Sequence, residues 1–148
     1  MFASSSGGTQ AGLMVGKARY GLSAKLIGIG IDKYEEREGS FQERIRALAD
    51  ETAALTGISR RFSLDEIDLE TGYTGGGYGV VGDLERKAIR LLAETEGLLL
   101  DPVYTGRAMG ALIDMIEGRR FSSADTVLFW HTGGTPSLFP YAGDVLGN

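Results

Sequence analysis

Cysteine is absent from this chain, which excludes disulfides and any thiolate nucleophile or ligand within it. Histidine occurs once, at His131, so the imidazole and thiolate sets that hold zinc cannot be assembled here. No apolar run approaches the roughly 20 residues that cross a bilayer. The first residues have neither the positive start nor the long apolar segment of a secretory signal. A reducing, cytoplasmic location is therefore the expectation. Basic charge is also scarce: 15 Lys and Arg face 20 Asp and Glu, for a net charge of −5. That excess lies entirely in residues 32–70, which hold 11 acids and 6 bases, and is read as a solvated face. No basic stripe exists, so neither nucleic acid nor a membrane is an expected partner.

What is abundant is glycine, 23 of 148 residues, placed singly or in short clusters between apolar runs. With 43% hydrophobic residues the chain can build one core and one domain. Lys25-Leu26-Ile27-Gly28-Ile29-Gly30-Ile31 reads as a buried strand of a parallel sheet. Thr126-Val127-Leu128-Phe129-Trp130 reads as another, and Leu64–Leu69 as a weak one. Met1-Phe2-Ala3 fits the end of a strand. Helices are expected over Leu13–Tyr20, ended by Gly21, and from the capping box Ser40-Phe41-Gln42-Glu43 to Gly57. The apolar stripe of the second is Phe41, Ile45, Leu48, Ala49, Thr52 and Leu55. A third runs from a cap at Asp83 to Gly97, burying Leu84, Ala88, Leu91, Leu92 and Thr95. A fourth runs from a cap at Thr105 to Gly118, with Met109, Leu112, Ile113 and Ile116 as its stripe. A last helix starts from Thr135, with Pro136 at its first position. Strands alternating with helices give an α/β, three-layer fold with a mainly parallel sheet.

In such sheets ligands sit at the carboxyl ends of the strands. Loops 4–12, 101–106 and 131–136 belong at or near that edge, with the glycine-rich loop 72–79 close by. Residues Ser4–Gly12 combine serine hydroxyls with glycines just ahead of a helix. A helix N-terminus presents unpaired amides and partial positive charge, which suit a phosphate. The stretch matches neither a P-loop nor a dinucleotide fingerprint. Composition leaves two readings of it open, a phosphate cradle and a flexible serine-rich tail. His131 is expected to be a packed, hydrogen-bonded residue, and Tyr73 a wall residue.

Four blocks occur in order: Ser6-Gly7-Gly8-Thr9-Gln10-Ala11-Gly12, Gly77-Tyr78-Gly79, Glu96-Gly97-Leu98-Leu99-Leu100-Asp101-Pro102-Val103-Tyr104-Thr105-Gly106, and His131-Thr132-Gly133-Gly134. Together they closely resemble the C-terminal half of the D-cysteine desulfhydrase and 1-aminocyclopropane-1-carboxylate deaminase family. The resemblance implies a pyridoxal 5'-phosphate enzyme of the tryptophan-synthase-β type, fold type II. It implies that Ser5, Ser6, Gly7, Gly8 and Thr9 hold the cofactor phosphate and that Thr132 faces the pyridine nitrogen. It implies catalytic roles for Tyr104 and Tyr78, with Tyr78 and Thr105 also beside the substrate. Thr105 and Thr132 are small hydroxyl residues where deaminases of the cyclopropane substrate usually carry glutamate and leucine. Both therefore favour the desulfhydrase branch, which converts D-cysteine to pyruvate, hydrogen sulfide and ammonia by α,β-elimination. The alternatives are L-cysteate sulfo-lyase or 1-aminocyclopropane-1-carboxylate deaminase activity in the full-length protein, or a non-catalytic phosphate-binding fragment.

The implied partners are a small amino-acid substrate and, in the full-length protein, a second copy in a homodimer. The family's Schiff-base lysine follows a glycine-asparagine pair, and no Gly-Asn-Lys is present. Lys17, Lys25, Lys33 and Lys87 all fit solvated positions. The chain is expected to be the cofactor phosphate-binding, C-terminal part of a larger enzyme. As it stands, it is expected to be inactive.

Overall fold

The computed structural model describes residues 1–33 and 39–147. Glu35, Glu36 and Glu38 of the acidic segment lie outside the described residues. The elements in chain order are β1 (Phe2–Ser4), α1 (Gly8–Tyr20), β2 (Ile27–Gly30), α2 (Phe41–Leu55), β3 (Asp68–Glu70), α3 (Asp83–Glu96), α4 (Thr105–Glu117) and α5 (Ala142–Leu146). Short 3-10 turns occupy Leu64–Glu66 and Thr135–Leu138. The three strands are parallel and lie in the order β1-β2-β3, with Ala3 opposite Ile29 and Ile29 opposite Glu70. Helices cover both sides of the sheet, as the alternation of strands and helices requires.

The sequence Ile27-Gly28-Ile29-Gly30-Ile31 shows how the layers are built. Successive side chains on a strand point to opposite faces. Ile27, Ile29 and Ile31 all join one core cluster with Ala3, Val103, Ala108, Ala111 and Met115. The other face carries only glycine, and there the buried Gln10 of α1 packs onto Gly28 so closely that a Cβ would overlap its amide. Gln10 links two strands as well. It accepts from Ser4 Oγ at 2.8 Å and donates to the Asp68 carbonyl at 3.1 Å. A second cluster joins α1 to α2 through Ala11, Met14, Val15, Phe41, Ile45, Ala49 and Ala53.

Local signals located several helix ends. Ser40 and Glu43 form the capping box, with Ser40 N donating to Glu43 Oε2 at 2.6 Å and Glu43 N donating to Ser40 Oγ at 3.2 Å. Gly21 and Gly97 terminate α1 and α3 in the left-handed region, at φ 64° and 66°.

Other expectations need correction. Helix α1 begins at Gly8, so Thr9, Gln10, Ala11 and Gly12 are helical and the loop is only Ser5–Gly7. Helix α3 is capped at Gly82, with Asp83 its first residue, and it buries Glu85, Ala88 and Ile89 while Leu91 and Thr95 are exposed. Helix α4 turns Ala108, Ala111, Leu112 and Met115 inward and leaves Ile116 exposed. Leu55 of α2 is exposed as well. Leu64–Leu69 is a 3-10 turn before a strand, because Ser63 N donates to Glu66 Oε2 at 3.0 Å and closes the chain locally. The last helix is a 3-10 turn capped by Gly134, followed by the short α5.

Thr126–Trp130 is not a buried strand. It runs beside the start of β1, where Met1 N donates to Leu128 O and Trp130 N donates to Met1 O at 2.8 Å. Leu128 and Trp130 are exposed while Val127 and Phe129 are half-buried. The segment thus has extended alternation at the sheet margin, with only this pairing among the described residues. Asp50 departs from the solvated acidic face: it is buried and accepts from Phe62 N at 2.8 Å.

Candidate functional site

Strand β1 delivers the chain to the carboxyl edge of the sheet at Ser4. The backbone turns through Ser5 and Ser6 and enters α1 at Gly8. Gly7 makes this turn possible. Its φ is 88°, and a Cβ there would sit 3.1 Å from both Ile45 Cγ1 and Leu48 Cδ1. A side chain would meet both backbone strain and the α2 wall. No side chain caps the helix at Gly7. The first amides of α1 have no acceptor within the helix, and the helix dipole adds partial positive charge there.

A cavity of about 370 Å³ opens against this turn. Its lining comes from three of the loops expected at this edge: Ser4–Gly7 with Thr9, Asp101 with Tyr104, and Thr132–Gly134. Ser5, Ser6, Gly7, Thr9, Tyr104 and Thr132 therefore share one hollow. Gly8 lies between lining residues without itself forming the wall. Tyr78 is not a lining residue, but its hydroxyl meets that of Tyr104 in a short hydrogen bond. The two rings stand edge to face, with centroids 5.8 Å apart and planes at 73°. Among the described residues the wall carries no cationic side chain, so an anion here would be held by backbone amides, hydroxyls and the helix dipole. Lys17, Lys25, Lys33 and Lys87 are all absent from the lining.

Thr105 is placed differently from its expected position beside a substrate. It is 1% exposed, and its hydroxyl is committed to Asp101. Thr105 Oγ donates to Asp101 Oδ2 at 2.6 Å and accepts from Asp101 N at 2.8 Å. Nor does Thr105 cap α4, since it is the first helical residue. Asp101 does that work, and residue-type reasoning missed it. Its Oδ1 accepts from Val103 N at 2.9 Å and Tyr104 N at 2.6 Å, and its Oδ2 accepts from Thr105 N at 2.7 Å. The signal was available: an aspartate before proline, followed by a helix start, favours a side-chain turn. Of the two helix starts at this edge, α4 is sealed by an internal carboxylate and α1 has no side-chain cap.

His131 bonds as expected, although it is exposed. Its Nδ1 accepts from Gly133 N at 3.0 Å, so the proton resides on Nε2 and is donated to the Leu99 carbonyl at 3.0 Å. The ring thereby fixes the turn that carries Thr132. Tyr73 is also a structural residue. It donates to Asp114 Oδ2 at 2.7 Å, and burial, with help from that carboxylate, pushes its phenol up to about 12.

A larger cleft, of about 450 Å³, lies between α1 and Asp65–Asp68. Four of its charged groups pair with each other: Lys25 with Asp68 at 2.7 Å, and Arg60 with Glu66. It has neither glycine turn nor phenol pair. The smaller cavity is the candidate site. No group of histidine and carboxylate side chains among the described residues could hold a metal ion. No helix among them is long and apolar enough to cross a membrane.

In this α/β domain the first strand leads through a glycine turn into a helix with no side-chain cap, and Tyr104, bonded to Tyr78, lines the same cavity. A family model described as pyridoxal-phosphate dependent enzyme matches residues 1–133, and the chain belongs to that family. Similar proteins include a 1-aminocyclopropane-1-carboxylate deaminase of Burkholderia vietnamiensis, 40% identical over 92% of this chain and 39% of its own length. A D-cysteine desulfhydrase of Salmonella paratyphi C is 41% identical over 94% of this chain and 40% of its own. The crystal structure of a homologue of 1-aminocyclopropane-1-carboxylate deaminase superposes with a TM-score of 0.85 at 31% identity. That superposition covers 99% of this chain and 42% of the other. The chain thus spans about two fifths of the length of these relatives. The fold is the tryptophan-synthase-β-like fold that the resemblance implied.

Proposed function

We propose that this chain carries the cofactor-phosphate and phenol-bearing part of a pyridoxal-phosphate-dependent lyase of the D-cysteine desulfhydrase type. One observation carries the reading: the uncapped start of α1 and the hydrogen-bonded Tyr104–Tyr78 pair meet at one cavity. The residues fit the family's cofactor. Ser5, Ser6, Gly7, Gly8 and Thr9 offer amides and hydroxyls to a phosphate, and Gly7 keeps the approach clear of a side chain. Bound pyridoxal phosphate supplies an electron sink for chemistry at the α-carbon of an amino acid. Tyr104 and Tyr78 can hold a proton at one hydroxyl and pass it to the other, which suits acid-base work beside such a centre. Thr132 presents a neutral hydroxyl, which gives no formal negative charge to a ring nitrogen.

The choice of D-cysteine over the cyclopropane substrate now rests on Thr132. Thr105, the other discriminating position, has its hydroxyl turned to Asp101 and acts on the site through that carboxylate. With no lysine on the cavity wall, the chain alone is not proposed to complete turnover.

The test is a titration of the chain with pyridoxal phosphate and with pyridoxal, followed by cofactor fluorescence. The phosphate-bearing form should bind tighter, inorganic phosphate should compete, and Ser6→Ala with Thr9→Ala should weaken binding by about tenfold or more. Equal binding of pyridoxal, or an unaffected double variant, refutes the cradle. The substrate class is tested on the relative-length protein, with pyruvate measured from D-cysteine and L-cysteate and ketoacid release measured from the cyclopropane amino acid. Preference for either of the latter two replaces the desulfhydrase reading.

A further inference from the structure

Arg107 is the largest fully buried side chain among the described residues, at 1% exposure, and it is not one of the residues that line the cavity. A guanidinium is expensive to bury unless all its donors are used. Here they are spent on a single purpose. Nε pairs with Glu85 Oε1 at 2.5 Å. Nη1 donates to Ile31 O at 2.5 Å, Thr74 O at 2.9 Å and Gly77 O at 2.9 Å. Nη2 donates to Val80 O at 2.7 Å. Three of the four carbonyls belong to the glycine-rich loop between β3 and α3, and two of them, Gly77 and Val80, bracket Tyr78.

The ends of that loop are held by Tyr73, which donates to Asp114 Oδ2 at 2.7 Å, and by Val81, whose carbonyl accepts from Arg86 Nη1 at 3.4 Å, and the stretch between them has fewer ties. Its own backbone bonds are Gly77 N to Thr74 O at 2.9 Å and Val80 N to Gly77 O at 3.3 Å. Gly75, Gly77 and Gly79 all have positive φ, so the segment is conformationally permissive. Tyr78 and Val80 are each about half exposed, so burial of apolar surface does not anchor them. Tyr78 itself has one more backbone tie, from its N to Asp32 Oδ1 at 3.2 Å. Arg107 stands one helical turn after Tyr104, at the start of the same helix. The connection from one phenol to the other is therefore short and stiff: Tyr104, the first turn of α4, the Arg107 guanidinium, the loop carbonyls, Tyr78. Glu85 completes it by neutralising the guanidinium and accepting from Gly82 N at 2.8 Å, which fixes the far end of the loop.

We propose that Arg107, paired with Glu85, is a positioning residue that holds the Tyr78 hydroxyl against that of Tyr104. This rests on the phenol pair having the role given above. A lysine at 107 would keep the charge but supplies three donors from a single nitrogen, too few and too localised to reach all these acceptors.

The test uses the whole chain labelled with fluorotyrosine and observed by fluorine NMR. In the unmutated chain, Tyr104→Phe should displace the Tyr78 resonance, because the hydroxyls touch. In the Arg107→Lys background the same change should leave that resonance within its linewidth. Pyridoxal phosphate affinity of Arg107→Lys should stay within about twofold, because the α1 cradle shares no partner with Arg107. Full persistence of the Tyr78 displacement in Arg107→Lys overturns the proposal, since a purely structural arginine would lower stability and leave the coupling intact. Should that variant not fold, the unmutated chain decides in a urea titration. Tyr78 should keep its folded resonance until α4 unfolds, and release well before α4 overturns the proposal. Failure of the unmutated chain to bind pyridoxal phosphate would strike the proposed function instead, while the coupling measurement still judges Arg107.

Discussion

Removing the acceptors of Asp101 gives the sharpest test of how the site is built. Its two carboxylate oxygens take three backbone amides, those of Val103, Tyr104 and Thr105, and the Thr105 hydroxyl. The side chain is 1% exposed, so water cannot readily replace it. A buried donor left unmet costs about 1–3 kcal/mol. Asp101→Ala leaves three amides and one hydroxyl without their acceptor. Even at the low end of that range, with some relaxation, the loss is roughly 3–6 kcal/mol, a large part of the 5–15 kcal/mol that stabilises a typical domain. Asp101→Asn can point its carbonyl oxygen at Val103 N and Tyr104 N. Its NH2 then confronts Thr105 N, one donor against another, while the Thr105 hydroxyl can turn to accept. One unmet amide predicts a smaller loss, about 1–3 kcal/mol. Thr105→Val removes the acceptor for Asp101 N and should fall in that same range. The assay is urea unfolding followed by far-ultraviolet circular dichroism, with stabilities taken from midpoint and slope. The required order is alanine worst, asparagine and the Thr105 variant between it and the unmutated chain. An Asp101→Ala variant that loses no more than Asp101→Asn, or less than about 1 kcal/mol, would refute the account of α4 as a helix sealed by this carboxylate.

Two further outcomes follow from the same kind of accounting. Gly7→Ala puts a Cβ at a φ of 88° against Ile45 and Leu48, so stability should fall by about 1–3 kcal/mol and pyridoxal phosphate binding should weaken. An unchanged urea midpoint would contradict this. Asp50 is held below the ordinary carboxylate value of 3.8, first by the Phe62 amide and then by Arg61 and Arg46. A depressed folded pKa gives stability that is complete above 3.8 and lost as pH falls through the lower folded value. Acid unfolding should therefore steepen below about pH 4, and Asp50→Asn should flatten that limb; an unaltered acid profile would exclude Asp50 as a contributor.

Much of this molecule was legible without coordinates because its signals are local. The Ser40–Glu43 box closes over three residues, and Gly21 and Gly97 end helices by their own backbone freedom. The alternation of Ile27, Ile29 and Ile31 with glycines declared a strand that is bulky on one face and bare on the other. Loops 4–12, 101–106 and 131–136 were expected at one edge, and residues of all three do line one cavity, although only the first of them follows a strand among the described residues. Only the tertiary structure decided the rest. Thr126–Trp130 has the composition of a buried strand, yet a strand is buried only by neighbours, and among the described residues its backbone pairs with Met1 alone. Thr105 looked like a residue for a ligand until Asp101 was seen to occupy its hydroxyl. Arg107 and Glu85 sit 22 residues apart on helices whose charge pattern resembles any solvated face, and the carbonyls that satisfy Arg107 lie 27 to 76 residues away. Periodicity records which residues prefer to avoid water. It does not record which polar groups will find each other once water has been excluded, and that pairing is settled by the packed chain.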